Sequence, residues 1–163
     1  VVVTTQLAAL GMAQGERGVT RQFKTVTDGE DIGTVTPVSF AATSENLTPW
    51  TVGYPTAVRT GNDWILECWA RSRFAGQWTD GVAFGYDSDL LAFRVTIYAD
   101  GTYTVLKRTI DVAPQLDPEV RQTVTYLESQ QNADFGSPQS TIFYRIAQIS
   151  SYGAGRTANL VGV

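Results

Sequence analysis

The sequence predicts a mainly β protein: an antiparallel β-sandwich or sheet domain with an N-terminal arm or helix. Three observations carry this. Threonine is the commonest residue and valine the next, an excess of β-branched side chains that favours strands. From residue 34 onward, short runs alternate apolar with polar residues and are punctuated by glycine-rich turns. A length of 163 residues, 43% apolar and 17% charged, is ample for a core and excludes a disordered chain.

Residues 1–33 read as the arm or helix and residues 34–163 as the β domain. In the first part, Leu7, Leu10, Gln14 and Arg17 to Phe23 have the spacing of an amphipathic helix. Gly11, Gly15 and Gly18 oppose it, each costing up to about 1 kcal/mol in a helix interior. The competing reading is an extended arm that pairs with something else. Asp28-Gly29-Glu30-Asp31 closes this part as an acidic turn.

Within the β domain, Val35 to Ala41 reads as an edge strand, because Pro37 cannot donate to a ladder. Asn46 to Pro55 is a loop, and Thr60-Gly61-Asn62-Asp63 is a turn that leads into a strand from Trp64 to about Phe74. A short strand follows over Gln77 to Gly85. The clearest signal is two β-rich runs, Ala92 to Tyr98 and Tyr103 to Lys107, joined through Asp100-Gly101 as a hairpin. Beyond a boundary at Ala113 to Pro118, Asp117-Pro118-Glu119 has the chemistry of a helix start. The run Val120 to Leu127 is rich in Val and Thr, and strand is the reading preferred. Ser129 to Ser140 reads as a polar loop, Thr141 to Ile149 as a strand, Ser150 to Gly155 as a turn and Thr157 to Val163 as the last strand.

The chain contains no histidine, which excludes Ser-His-Asp triads, histidine metal sites and a histidine general base. No close glutamate pair falls on one strand, and the nearest candidate pair, Glu67 with Asp80, rests on proximity in sequence alone. Gly11 and Gly15 introduce no phosphate loop. The expectation is therefore no enzyme and no cofactor. A net charge of −4 without a basic stripe argues against nucleic acid. No run approaches the roughly 20 apolar residues of a membrane helix, so membrane contact would need a segment beyond this sequence. The single cysteine, Cys68, allows no internal disulfide. It shares a strand face with Trp64 and Leu66 and reads as a small buried apolar side chain.

Two groups of residues remain as candidates for binding. Trp50 and Trp78 read as loop or rim residues, able to stack on sugar rings or to bury into a neighbouring subunit. Asp87-Ser88-Asp89 places carboxylates at alternate positions, as calcium sites do, but turn chemistry explains it as well, and no metal is assigned. Asn46-Leu47-Thr48 is a glycosylation acceptor pattern, meaningful in an exported protein. In the arm, Val1, Val2 and Val3 are too few to form a structure alone and need partners. With Leu7 and Leu10 they are the candidate assembly residues.

The run from Phe143-Tyr144-Arg145-Ile146 through Tyr152-Gly153-Ala154-Gly155-Arg156-Thr157-Ala158 is similar to the closing hairpin of type IV pilin-like minor pilins. Gln6 to Leu10 through Glu16-Arg17 resembles the pilin helix just outside the membrane. The strands around Ala92 to Lys107 also resemble those of lectin-like sandwiches. The pilin resemblance implies a subunit of an extracellular, cell-surface filament that polymerises non-covalently through its N-terminal arm with copies of itself or related subunits. The alternatives are a glycan-binding β-sandwich acting through Trp50, Trp78, Asp87 and Asp89, or a virion structural protein.

Overall fold

The computed structural model describes residues 17–26, 29–43, 47–73 and 86–163. The chain divides into two compact units, residues 1–46 and 47–163. In the first, β1 (Thr20–Phe23) pairs antiparallel with β2 (Val38–Ala41), Thr20 opposite Ala41 and Phe23 opposite Val38. The expected edge strand is thus real, but it pairs within the N-terminal unit. The helix considered for Arg17 to Phe23 does not form there. Gly18 takes φ +74° and donates its N–H to Ala42 O at 2.9 Å, which turns the chain into the ribbon. A positive φ suits glycine and ends helical progression. Arg21, Phe23, Val38 and Phe40 share one ribbon face, where the two phenyl rings meet edge-on at 6.4 Å.

The second unit holds two antiparallel sheets. The smaller has β3 (Gly53–Thr60), β4 (Asp63–Trp69) and β7 (Gln122–Tyr126) in the order β3-β4-β7. The larger joins β5 (Leu90–Tyr98), β6 (Leu106–Val112), β8 (Ile142–Ser150) and β10 (Leu160–Gly162) in the order β10-β8-β5-β6, and the short β9 (Gly153–Ala154) also pairs with β8. The mainly β class is therefore borne out. Burial alternates along β4 and β5, and along β8 except at the buried Ala147, as a period of two residues requires of sheets covered on one side. Trp64, Leu66 and Cys68 of β4 join Val124 and Tyr126 of β7 in one core. They meet Phe93, Val95 and Ile97 of β5 and Ile142, Tyr144 and Ile146 of β8 there. Trp64 is fully buried while Trp69, on the opposite face of the strand, is partly exposed.

The β5–β6 hairpin forms, but its turn is longer than Asp-Gly alone suggests. Asp100 caps the turn by accepting from the Thr102 N–H at 2.9 Å and hydroxyl at 2.6 Å. Tyr103 follows at φ +55°, held by its hydroxyl, which donates to Leu160 O at 2.8 Å. The second strand accordingly starts at Leu106. The preferred strand over Val120 to Leu127 is found as β7. Asp117 caps only a tight turn, accepting from the Glu119 N–H at 2.8 Å.

The polar loop expected over Ser129 to Ser140 is corrected in part by α1 (Glu128–Phe135). This helix lacks an apolar stripe and is fastened by polar contacts. Gln131, fully buried, donates to Asn62 O at 2.7 Å and to Tyr126 O at 3.2 Å, and accepts from Gln139 N–H at 2.9 Å. Asp134 accepts two hydrogen bonds from Arg108 of β6, at 2.6 and 2.8 Å, and one from the Tyr126 hydroxyl at 2.8 Å. Among the described residues no helix is long and apolar enough to cross a membrane.

Two consequences can be measured. Ile97 is fully buried in the core, so Ile97→Ala should cost about 2–5 kcal/mol in urea unfolding. Burial alone would raise the Asp134 carboxyl, but the hydrogen bonds from Arg108 and Tyr126 and the nearby cations outweigh it and hold it low. Its stabilising contribution is complete above the ordinary aspartate value of about 4 and is lost as pH falls through the depressed one. Asp134→Asn should therefore lose about 2 kcal/mol at pH 7. Its stability should also fall less steeply than the parent's when both are acidified below about pH 4.

Candidate functional site

The chain leaves β4 through Ala70-Arg71-Ser72-Arg73, and this short exit gathers most of the described candidate residues. Arg73 is nearly buried, with its side chain 4% exposed, and faces both carboxylates of the Asp87-Ser88-Asp89 turn. Its Nε donates to Asp87 Oδ2 at 2.7 Å, its backbone N–H donates to the same carboxylate, and its Nη2 reaches Asp89. The Ser72 hydroxyl donates to Asp87 as well. The Tyr152 ring lies against the guanidinium, 5.7 Å from its centre.

The electrostatics follow from that geometry. Burial pushes the Asp87 carboxyl up, but the bonds from Ser72 and Arg73 and the charge of Arg73 more than compensate, and it is held below the usual carboxylate range. A buried charge is tolerable only when paired in this way. Asp87 and Asp89 are thus brought together, as their spacing suggested. They serve as counter-ions of an arginine, and the calcium reading finds Asp87 already engaged. Cys68, one turn of the pleat earlier, has its thiol pushed up to about 12 by burial, with smaller opposing influences from Arg121 and Glu67. It stays a protonated thiol at neutral pH, in keeping with the apolar reading.

Trp50 lies in the loop before β3 and is 47% exposed, with the Arg71 guanidinium 5.3 Å from its ring centre. Arg71 and Arg73, two residues apart, therefore take opposite roles, one against an exposed ring and the other between two carboxylates, of which Asp87 is buried. Val1, Val2, Val3, Leu7, Leu10 and Trp78 lie outside the described residues, as does the strand expected over Gln77 to Gly85. Sequence reading passed over Arg71, Arg73 and Gln148 as site residues. The one available signal was an alternating pair of arginines directly after a buried strand.

No family model matches the chain, and no curated protein matches it. Among solved structures it is similar to the crystal structure of the Clostridium perfringens spore cortex lytic enzyme SleM. The TM-score is 0.43 at 15% identity, over 88% of this chain and 38% of that one. These findings correct two expectations. The pilin resemblance is not sustained: no pilin is matched, and the described residues form β sheets with a single helix of eight residues rather than a pilin fold. The run that prompted it is a β8–β9 turn followed by β10, an arrangement any antiparallel sheet can contain. The expectation that the chain is not an enzyme is likewise withdrawn, since the matched structure is that of an enzyme. At that TM-score the likeness transfers neither its fold nor its activity to this chain.

Proposed function

We propose that the chain is a structural subunit of an extracellular or surface assembly, a filament or a virion. It would be held to copies of itself or to related subunits through its N-terminal unit. The observation that carries this reading is the condition of the β1–β2 ribbon. No described residue from 17 to 43 is buried, and on the Phe23–Phe40 face Val38 is 68% and Phe40 55% exposed. A two-stranded ribbon alone is marginal in water, and an exposed apolar face gains most from a partner.

Two of the sandwich's sheet edges are guarded. Its β3 edge carries Pro55 and a register shift between Gly53 and Thr56. Its β6 edge carries Lys107 and Arg108, and both devices discourage strand addition. Association through the N-terminal unit fits this contrast, with Val1, Val2, Val3, Leu7 and Leu10 adding to the contact. Strand addition or face-to-face packing of ribbons would supply it.

Sedimentation and negative-stain imaging test the reading. The full chain should form large ordered particles. A chain trimmed to 47–163 retains every member of the core and should remain a folded monomer with its thermal midpoint kept. Phe40→Asp in the full chain should raise the concentration needed for assembly at least tenfold. Undiminished assembly of the trimmed chain, or a full chain that stays monomeric at high concentration, would overturn the proposal.

A further inference from the structure

A buried amide joins the loop that carries Trp50 to the chain that carries Arg71. Gln148 of β8 is 1% exposed. Its Nε2 donates to Trp50 O at 2.9 Å and to Arg71 O at 3.0 Å, and its Oε1 accepts from the Arg71 N–H at 3.1 Å. Both amide hydrogens are used, so displacing either segment would strand polar groups in the interior. The Trp50 loop has a second anchor. The Arg156 N–H donates to Pro49 O at 3.3 Å, and at Gly155 any side chain would meet that same oxygen at 2.6 Å.

This frame carries a pair of side chains, Trp50 exposed and Arg71 half-buried. Trp50 is 47% exposed, and the Arg71 guanidinium lies 5.3 Å from its ring centre. Among the described residues that guanidinium meets no carboxylate or carbonyl, in contrast to Arg73, Arg94, Arg108, Arg121 and Arg145, whose side chains all do or meet another polar oxygen. A pre-positioned aromatic face offers an apolar surface to the axial C–H groups of a pyranose ring. The guanidinium, which lies over the ring, offers a two-pronged match to a carboxylate that reaches the ring's edge. Because the backbone beneath both side chains is held by buried bonds, less ordering remains to be lost on binding.

We propose that Trp50 and Arg71 form a binding site for a carbohydrate whose pyranose rings carry carboxylates, of the hexuronate type. The site belongs to the sandwich alone and does not depend on the assembly reading. Stacking without the cation would serve neutral sugars, and the cation without stacking would serve acidic peptides. The pairing selects the acidic sugar.

The test is binding of the full chain to polygalacturonate, to its fully methyl-esterified form and to polyglutamate, by affinity electrophoresis and calorimetry. Polygalacturonate should bind at least tenfold more tightly than either of the others. Trp50→Ala should weaken that binding at least tenfold, and Arg71→Gln should reduce it to the level of the ester. On the unaltered chain, polygalacturonate should protect Trp50 from oxidation by N-bromosuccinimide, a readout that needs no variant to fold. Absence of binding and protection, equal binding of acid and ester, equal binding of polyglutamate, or affinity untouched by both substitutions would overturn the proposal.

Discussion

The second unit depends on the closure of the small β3-β4-β7 sheet over β5 and β8. A three-stranded sheet has too little surface to bury a face by itself, so its inner residues are stable only against the opposite layer. Trp64 stands at the centre of this contact, fully buried, with its indole N–H donating to Gln139 O at 3.1 Å. On one side, β10 comes in through Gly162. There a Cβ would lie 2.9 Å from the Ala57 Cβ and from Ile142 Cγ1, and 3.0 Å from the Trp64 ring. Only a residue without a side chain lets the two layers meet that closely. On the other side, Arg108, Asp134 and Tyr126 tie β6, α1 and β7 together.

Burial of this kind is what the N-terminal ribbon lacks. Its two strands pair with each other, and Phe23 and Phe40 meet edge-on while Phe40 stays 55% exposed. The physics that makes the sandwich self-sufficient is also the ground for proposing the ribbon as a docking element. The separation of roles is thus energetic. One unit has its core within itself, and on the proposed reading the other would gain one by association.

Much of the sandwich could be read from residue order, because period-two alternation reports burial directly. Trp64, Leu66 and Cys68, or Val95 and Ile97, declare their inner face without reference to any partner. The helix could not be read so, because Glu128 to Phe135 has no apolar stripe and is held through Gln131, Asp134 and a contact from Asp63 to the Glu128 N–H. Those partners lie far away in sequence. The same limit governed the site. Asp87 and Asp89 were visible as alternating carboxylates, whereas their partner Arg73 became meaningful only once the exit of β4 was placed beside them. Gln148 was indistinguishable from any strand glutamine, since its importance lies in being buried opposite two loop carbonyls. The ribbon was misjudged in part because helical spacing from Leu7 to Phe23 competes with a cross-chain pairing that only Val38 to Ala41 can supply.

Hydrogen exchange of the full chain, compared between dilute and assembling conditions, tests most directly the claim that one unit is self-sufficient and the other is completed by association. The account predicts that backbone amides in Trp64–Cys68, Phe93–Ile97 and Tyr144–Ile146 are strongly protected in both conditions. Those in Thr20–Phe23 and Val38–Ala41 should exchange rapidly when dilute and become protected on assembly. Ribbon amides as slow as those of β5 in the dilute chain would contradict it.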